Sequence, residues 1–308
     1  MELLKELSEA FAPPGFEDEI REICRRELMP LTDEIHEDAM GNLIAIKHGT
    51  APEGERKKIM LAGHMDEIGF LVRFIDDNGF LRLNPCGGFD PKTLIAKRVV
   101  VRGKTKKLVG LIGTKPVHIM TPEERKKMPE LDGLFVDLGM PVDDVKAEVE
   151  VGTPVTLYQT FMEWGDVATT KALDNRVSLW TIIRALQRTP DPVHDVYAVM
   201  TSQEEIGIRG ATVAAYGINP DEGIAIDVTL ACDVPGVDKK DYITTLGEGV
   251  AIKVMDGASI SNPALVAKMR DLADKSGIKY QLEILPRGGT DARGIQMARE
   301  GKPAITLS

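Results

Sequence analysis

The chain has few residues of the kinds that mark secreted or membrane proteins. Only 3 of its 308 residues are cysteine. Cys24, Cys86 and Cys232 lie far apart and are odd in number, so a disulfide framework is not expected. No apolar run approaches the roughly 20 residues that a bilayer-spanning helix needs, and the first residues lack the basic and then apolar layout of a signal peptide. We therefore expect a cytoplasmic protein without membrane contact.

Positive charge and aromatic residues are also scarce. Lys and Arg number 38 against 48 Asp and Glu, which gives a formal net charge of −10 and a pI near 5.2. Because phosphate binding needs concentrated Lys and Arg, this balance argues against a nucleic-acid partner. Aromatic residues make up 5% of the chain and include two Trp. What remains is an acidic globular chain, long enough for one large domain with an insertion or for two domains.

The spacing of apolar residues changes along the chain. It is helical near the N-terminus, and it mostly loses that period from about Phe70 to Tyr158, where short apolar runs are separated by Gly, Pro and Asn. This change predicts a small β-rich domain inserted into a larger one. We place the inserted domain at residues 70–158 and the discontinuous larger domain at residues 1–69 and 159–308.

After Lys171 helical and strand patterns alternate. The predicted elements are a helix at 176–187, a strand at 193–200, a helix at 211–216, a strand at 223–227, a helix at 262–276, a strand at 280–284, a helix at 292–300 and a strand at 304–307. Such alternation is typical of the α/β class, with a mainly parallel sheet and helices on both faces. Ligands bind these sheets in the crevice at the carboxyl ends of the strands.

Four short motifs place acid or imidazole side chains in that crevice. They are Gly63-His64-Met65-Asp66-Glu67, Ala172-Leu173-Asp174-Asn175-Arg176, Ser202-Gln203-Glu204-Glu205-Ile206 and Ala225-Ile226-Asp227-Val228. Converging acids would repel each other unless cations neutralise them, because an unpaired buried carboxylate costs several kcal/mol. Two divalent metal ions resolve that conflict, and imidazole with carboxylate ligands suits Zn, Co or Mn.

The residue types suggest a division of roles. We predict four metal ligands, which are His64, Asp174, Glu205 and Asp227. Adjacent Glu204 and Glu205 point in different directions, so one can bind metal while the other faces the substrate. We assign Glu204 as the catalytic general base, although spacing alone does not decide the order. Asp66 lies two residues after His64 on the same side of an extended segment, where its carboxylate could take the second ring N–H and fix the tautomer.

These motifs resemble those of the self-compartmentalising dinuclear metallo-aminopeptidases, the family of the tetrahedral and glutamyl aminopeptidases, in which some members are labelled endoglucanase M. The resemblance runs nearly end to end. It extends to Pro14-Gly15-Phe16-Glu17, Asp38-Ala39-Met40-Gly41-Asn42, Asp233-Val234-Pro235-Gly236 and Gly288-Gly289-Thr290-Asp291-Ala292. It implies a zinc-peptidase-like catalytic domain that removes N-terminal residues from short peptides by a two-metal-activated water, in a homo-oligomer, a dodecamer.

The resemblance also implies individual roles. The residue at Asp174 bridges both metals, those at His64 and Asp227 complete one site, and that at Glu205 serves the other. The inserted domain is implied to be PDZ-like or barrel-like and to serve assembly and access. A last His ligand is implied shortly beyond a segment similar to 303–308, and the sequence stops at Ser308. We expect a longer natural protein; if there is none, the second metal site is incomplete.

Two other interpretations stay open. Two carboxylates can cleave glycosidic bonds without metal, but that chemistry needs neither His64 nor Asp174, and the aromatic share of 5% is small for a sugar cleft. A metal-depleted, chaperone-like assembly is the other. Loss of activity with a chelator, and its rescue by Co or Zn, separates the peptidase from the glycosidase, whereas metal analysis together with absent peptide turnover identifies the metal-depleted assembly. Arg287 and Asp291 flank a Gly-Gly turn, and structural and substrate-pocket roles fit them equally well.

Overall fold

A computed structural model describes residues 1–308. The helices are α1 (Glu2–Glu9), α2 (Asp18–Leu28), α3 (Pro122–Lys126), α4 (Val142–Glu148), α5 (Leu173–Arg188), α6 (Arg209–Ile218), α7 (Pro263–Ser276) and α8 (Asp291–Gln296). The strands are β1 (Glu34–Glu37), β2 (Leu43–Lys47), β3 (Lys58–His64), β4 (Gly69–Ile75), β5 (Leu81–Cys86), β6 (Arg98–Arg102), β7 (Lys107–Gly113), β8 (Phe135–Asp137), β9 (Pro154–Leu157), β10 (Met162–Trp164), β11 (Val167–Thr169), β12 (Asp195–Thr201), β13 (Glu222–Ile226), β14 (Val250–Met255), β15 (Tyr280–Ile284) and β16 (Ala304–Leu307). None of the helices combines the length and the apolar character that crossing a bilayer requires.

The fold is mixed α/β, and its larger sheet has eight strands in the order β1-β2-β12-β3-β13-β16-β14-β15. The central strands β12, β3, β13 and β16 are parallel to one another, as are β14 and β15. The pairs β1–β2, β2–β12 and β14–β16 are antiparallel. The parallel strands therefore occupy the centre of the sheet, where their carboxyl ends meet.

Two hydrophobic cores lie on opposite faces of this sheet. Along β2, Leu43 and Ala45 pack in the core that contains α1, α2 and α5, whereas Ile44 and Ile46 pack in the core that contains α6 and α8. This follows from the alternation of side chains along a strand. Each fully buried Leu or Ile stabilises the fold by about 1.5–3 kcal/mol. Because both faces of the sheet bury such residues against helices, the sheet is held in place between them.

The segment between β3 and α5 contains a closed barrel with the strand order β4-β5-β8-β7-β6-β9. The barrel has a core of its own, which includes Phe70, Leu81, Val99 and Val136. The chain enters the barrel directly after β3 and returns through the β10–β11 hairpin before α5. Both connections therefore lie next to the sequence motifs that carry His64 and Asp174.

Several element boundaries differ from the sequence prediction. Of the short apolar runs in 70–158, the one that starts at Leu94 forms a strand only from Arg98, because a 3₁₀ turn and a left-handed Ala96 (φ 63°) precede it. The helix predicted to reach residue 300 ends at Gln296, and left-handed Arg299 (φ 54°) follows shortly after it. In the larger sheet, strands β1 and β14 were not predicted. In contrast, β15 and β16 have the predicted bounds.

Candidate metal centre

Three neighbouring parallel strands end at the same edge of the sheet. In the register of β12 with β3, Thr201 lies opposite His64, and in the register of β13 with β3, Ala225 lies opposite Ala62. Residues that directly follow these strands therefore meet in the crevice at their carboxyl ends. Glu204 follows β12 and Asp227 follows β13.

His64 is the centre of the resulting cluster, and only 2% of its side chain is exposed. Its Nε2 lies 3.1 Å from Asp174 Oδ1, 4.0 Å from Glu204 Oε2 and 4.0 Å from Asp227 Oδ1. The potential ligand atoms of His64, Asp174 and Asp227 all lie within 4.8 Å of one another. The structure thus brings together three of the four residues that the sequence predicts as metal ligands.

Asp174 reaches this cluster from the first turn of α5. Its backbone is not helical (φ −76°, ψ 102°), and the peptide bond to Asn175 is cis. The Asn175 Nδ2 donates a hydrogen bond to the carbonyl oxygen of Ile226 at 3.0 Å, directly before Asp227. This bond ties the start of α5 to the end of β13. The Asp174 side chain is 57% exposed, so it is the most exposed member of a cluster whose three residues all line the cavity.

Glu205, the fourth predicted ligand, lines the same cavity but is not part of the group within 4.8 Å. Its carboxylate faces Gly87, which directly follows β5 of the barrel. The approach is so close that a β-carbon added to Gly87 would lie 3.2 Å from Glu205 Oε2. Glu204 also lines the cavity. The two glutamates therefore have different neighbours, as expected for adjacent residues on a turning backbone.

Asp66 contacts the imidazole of His64 with its backbone carbonyl oxygen and not with the carboxylate that the sequence analysis predicted. His64 Nδ1 is 3.0 Å from the Asp66 carbonyl oxygen and 3.6 Å from its carboxylate oxygen Oδ1. The carboxylate instead accepts the backbone N–H groups of Glu204 at 2.9 Å and Glu205 at 3.0 Å. Each carboxylate oxygen thus accepts one backbone N–H, and the carbonyl oxygen is the Asp66 atom closest to the ring.

The cluster contains more acidic side chains than basic ones, and no other part of the chain neutralises the excess of carboxyl groups. Burial raises the pKa of Glu204 to about 9, that of Glu205 to about 8 and that of Asp227 to about 7, although the nearby His64 charge opposes each shift. Burial alone would lower the pKa of His64, but hydrogen bonding to Asp174 and Asp66 and the charge of Asp227 raise it well above its ordinary value.

One imidazole therefore faces several carboxylates that water does not solvate. Added positive charge would relieve their repulsion. The donor set of one imidazole nitrogen and several carboxylate oxygens fits divalent Zn, Co or Mn.

The cluster opens into a cavity of about 530 Å³. Apart from His64, its wall includes two cationic side chains, Lys253 and Arg287, and it includes no Phe, Tyr or Trp. Lys253 is buried on β14 and pairs with Glu283 of β15 at 3.0 Å. The sequence analysis missed Lys253, and the available signal was a lysine between apolar residues in 250–255. Of the two residues left undecided, Arg287 lines the cavity, and Asp291 is buried and accepts the Thr201 hydroxyl hydrogen bond at 2.5 Å.

Known proteins resemble this chain over its whole length. Residues 41–308 match the family described as M42 glutamyl aminopeptidase. Lysyl aminopeptidase of Pyrococcus furiosus is 36% identical over 313 residues, which cover 100% of this chain and 88% of that protein. The TET aminopeptidase from a marine sediment Thaumarchaeota archaeon has a TM-score of 0.96 at 35% identity, covering 100% of this chain and 87% of its own. The Pyrococcus horikoshii TET1 peptidase, which can assemble into a tetrahedron or a large octahedral shell, has a TM-score of 0.85 at 30% identity, with 100% and 89% covered.

Proposed function

Because the chain belongs to the M42 glutamyl aminopeptidase family, it is a metal-dependent aminopeptidase, and we propose that it releases N-terminal residues from short peptides with Glu204 as the general base. The observation that carries this proposal is the meeting of His64, Asp174 and Asp227 within 4.8 Å at the wall of a cavity that both glutamates also line.

We infer that His64, Asp174, Glu205 and Asp227 would hold two divalent ions of the Zn, Co or Mn class. This assignment rests on the donor set and on the excess of buried carboxylates. When bound, such ions polarise a peptide carbonyl and acidify water. An acid of the cavity wall or a bound metal would anchor the positively charged amino terminus of a peptide, and the exopeptidase mode itself rests on the aminopeptidase family.

Glu204 has the position that a general base needs. Its carboxylate is 4.0 Å from His64 Nε2, and 11% of its side chain remains exposed, on the cavity side. There it takes a proton from the water that attacks the peptide carbonyl, and returns that proton to the leaving amine. The peptide C–N bond breaks in the second step, and Glu204 ends as a carboxylate again.

Amino-acid release from short peptides by Glu204→Gln tests this role. General acid–base catalysis typically contributes about 10²- to 10⁴-fold, so kcat should fall at least about 100-fold while metal content and Tm stay near those of the wild type. Glu163→Gln is the matched control, because Glu163 is exposed on β10 and outside the cavity. Undiminished release by Glu204→Gln would remove Glu204 as the base.

Cleavage of glycans without metal has less support. The cavity wall offers no Phe, Tyr or Trp ring on which a sugar could stack, and the chemistry would leave His64 and Asp174 without a role. Cellulose or xylan cleavage that survives chelation, with no peptide turnover, would favour that alternative.

We further propose that residues 70–158 form an inserted domain that serves assembly and access. Its outer surface exposes apolar side chains, including Val109 (55%) and Leu111 (48%) on β7, and exposed apolar groups often mark protein contacts. The Pyrococcus horikoshii relative can assemble into a tetrahedron or a large octahedral shell. Light scattering should find a homo-oligomer, and Leu111→Glu should weaken it. A wild-type monomer would contradict this proposal.

A further inference from the structure

The turn between β12 and α6, which carries both glutamates, is held by side chains from distant parts of the chain. Four consecutive backbone N–H groups in this turn each donate to such a side chain. The bonds run from Ser202 to Asn42 Oδ1 (2.9 Å), from Gln203 to Glu17 Oε1 (3.2 Å), from Glu204 to Asp66 Oδ1 (2.9 Å) and from Glu205 to Asp66 Oδ2 (3.0 Å). Three side chains thus determine the path of the backbone on which the glutamates are mounted.

This path is one that the turn would not adopt readily by itself. Gln203 has a φ of 53° and Ile208 a φ of 58°, both in the left-handed region that residues with a β-carbon disfavour. Such conformations persist where the surrounding structure imposes them. Gln203 directly precedes Glu204, so relaxation of its backbone would turn the Glu204 side chain away from its present direction.

Glu17 supports Gln203 directly. Glu17 is 2% exposed directly before α2, and its single oxygen Oε1 accepts both the Gly15 N–H at 2.8 Å and the Gln203 N–H at 3.2 Å. It links the N-terminal segment to the catalytic turn without lining the cavity.

Asn42 holds both ends of the same turn. Its Oδ1 accepts the Ser202 N–H, while its Nδ2 donates to the Gly210 carbonyl at 3.0 Å and to Asp38 Oδ2 at 2.7 Å. Asn42 is fully buried. It approaches Gly210 so closely that a β-carbon at that position would collide with Asn42 Oδ1. The entrance and the exit of the turn are therefore fixed to one amide group.

We propose that Glu17 and Asn42 are positioning residues that hold the left-handed turn and thereby aim Glu204 and Glu205 into the cavity. The inference rests on the proposed function, because it takes Glu204 as the base. It assigns a role to the Pro14-Gly15-Phe16-Glu17 and Asp38-Ala39-Met40-Gly41-Asn42 motifs, which sequence patterns left without one.

Two substitutions of Glu17 separate positioning from charge. Glu17→Met keeps the volume but removes the acceptor, and kcat should fall about 10- to 100-fold, the loss expected when a catalytic group is misplaced by about 1 Å, with KM little changed. Glu17→Gln removes the charge but keeps an acceptor oxygen, so it should retain most of kcat. Hydrogen exchange of amides 203–205 in the metal-free protein should accelerate in Glu17→Met only. Equal losses in both variants, or no loss in Glu17→Met, would overturn the proposal.

A second substitution tests whether Glu17 acts through residue 203. Glycine adopts a φ near 53° without the steric cost of a side chain, so Gln203→Gly should recover at least about threefold in kcat in the Glu17→Met background. In the wild-type background Gln203→Gly should change kcat by less than about twofold, and this cycle isolates the coupling of the two positions. If kcat does not recover in the double variant, Glu17 does not act through the backbone of residue 203.

The controls separate this inference from simple destabilisation and from the proposed function. Asp195 accepts the Gly49 N–H at 2.7 Å at the opposite end of β12, so Asp195→Ala should lower Tm and leave kcat within about twofold. If Glu17→Met does not fold, Glu17→Asp, whose oxygen is withdrawn by one methylene, should reproduce the loss of kcat. An active Glu204→Gln would overturn the proposed role of Glu204 as the base. An inactive Glu204→Gln together with a fully active Glu17→Met would overturn this inference alone.

Discussion

Thr201 is the parallel pairing partner of His64, so β12 and β3 end level with each other. The imidazole of His64 and the glutamates that follow Thr201, although distant in sequence, therefore open into one cavity. A register shift of one residue would turn every side chain of β3 to the other face of the sheet. The whole site thus depends on this one alignment.

The stability of the metal-free protein should fall as pH rises. Burial raises the pKa of Glu204 to about 9 and that of Glu205 to about 8, so the folded chain binds protons that the unfolded chain has released. This contribution is complete below the ordinary pKa of Glu, and it is lost as the pH rises through the folded values. Calorimetry of chelated protein should show Tm falling between about pH 5 and about pH 9.

Glu204→Gln provides the control for this pH dependence. The substitution removes one of the titrating groups, so the Tm of the metal-free variant should fall less steeply over the same pH range. Identical slopes in variant and wild type would show that Glu204 is not one of the groups responsible.

Metal binding should stabilise the folded chain and restore activity together. Zn or Co added to chelated protein binds the native cluster and not the unfolded chain, which adds about 2.7 kcal/mol at a free concentration of 100 times Kd. Calorimetry and peptide release measured on the same samples check this. Ca²⁺ is the control, because it takes six to eight oxygen ligands, and one imidazole belongs to this cluster. Full activity after complete chelation would contradict a metal-dependent reaction.

Gly87→Ala, a substitution in the barrel, should lower both the stability of the chain and its affinity for metal. Gly87 has a φ of 95°, and an added β-carbon would lie 2.5 Å from Ile68 Cγ2 and 3.2 Å from Glu205 Oε2. The strained backbone costs about 1–3 kcal/mol, and displacement of Glu205 should lower metal affinity, measured by titration with Zn or Co. Gly88→Ala is the matched control, since a β-carbon there meets nothing within 4 Å. Equal effects of both substitutions would argue against the contact with Glu205.

Glu67→Ala should destabilise the chain strongly. Glu67 Oε1 lies 2.6 Å from Lys171 Nζ and 3.4 Å from Arg176 NH2, and all three side chains are buried. Removing the carboxylate leaves two cations without their partner, at a cost of about 3–5 kcal/mol. Urea unfolding measures this loss. Breaking the exposed Arg26–Glu6 pair with Glu6→Ala should cost less than about 1 kcal/mol. Similar losses in the two variants would show that burial does not set the cost.

Local sequence signals predicted the elements whose first or last residues are typical of helix or strand ends. The helix with Pro263 in its first turn is α7, and the Asn262 side chain accepts the N–H groups of Ala264 and Leu265 at its start. In contrast, β14 was missed because its Lys253 interrupts the apolar pattern of a buried strand. Lys253 is tolerated there because Glu283 lies opposite it on β15. That partner comes from a different part of the chain and is invisible to a local pattern.

The sequence alone determined the inventory of the site: one imidazole and several carboxylates, each placed at the end of a strand or the start of a helix by patterns that reach only a few residues. The tertiary structure decided which atoms meet. It directed the Asp66 carboxylate to the amides of Glu204 and Glu205, and it brought Glu17 to Gln203. The reason is physical: strand register and helix packing join segments far apart in the chain, and hydrogen bonds shorter than about 3.2 Å are fixed only when those segments have docked.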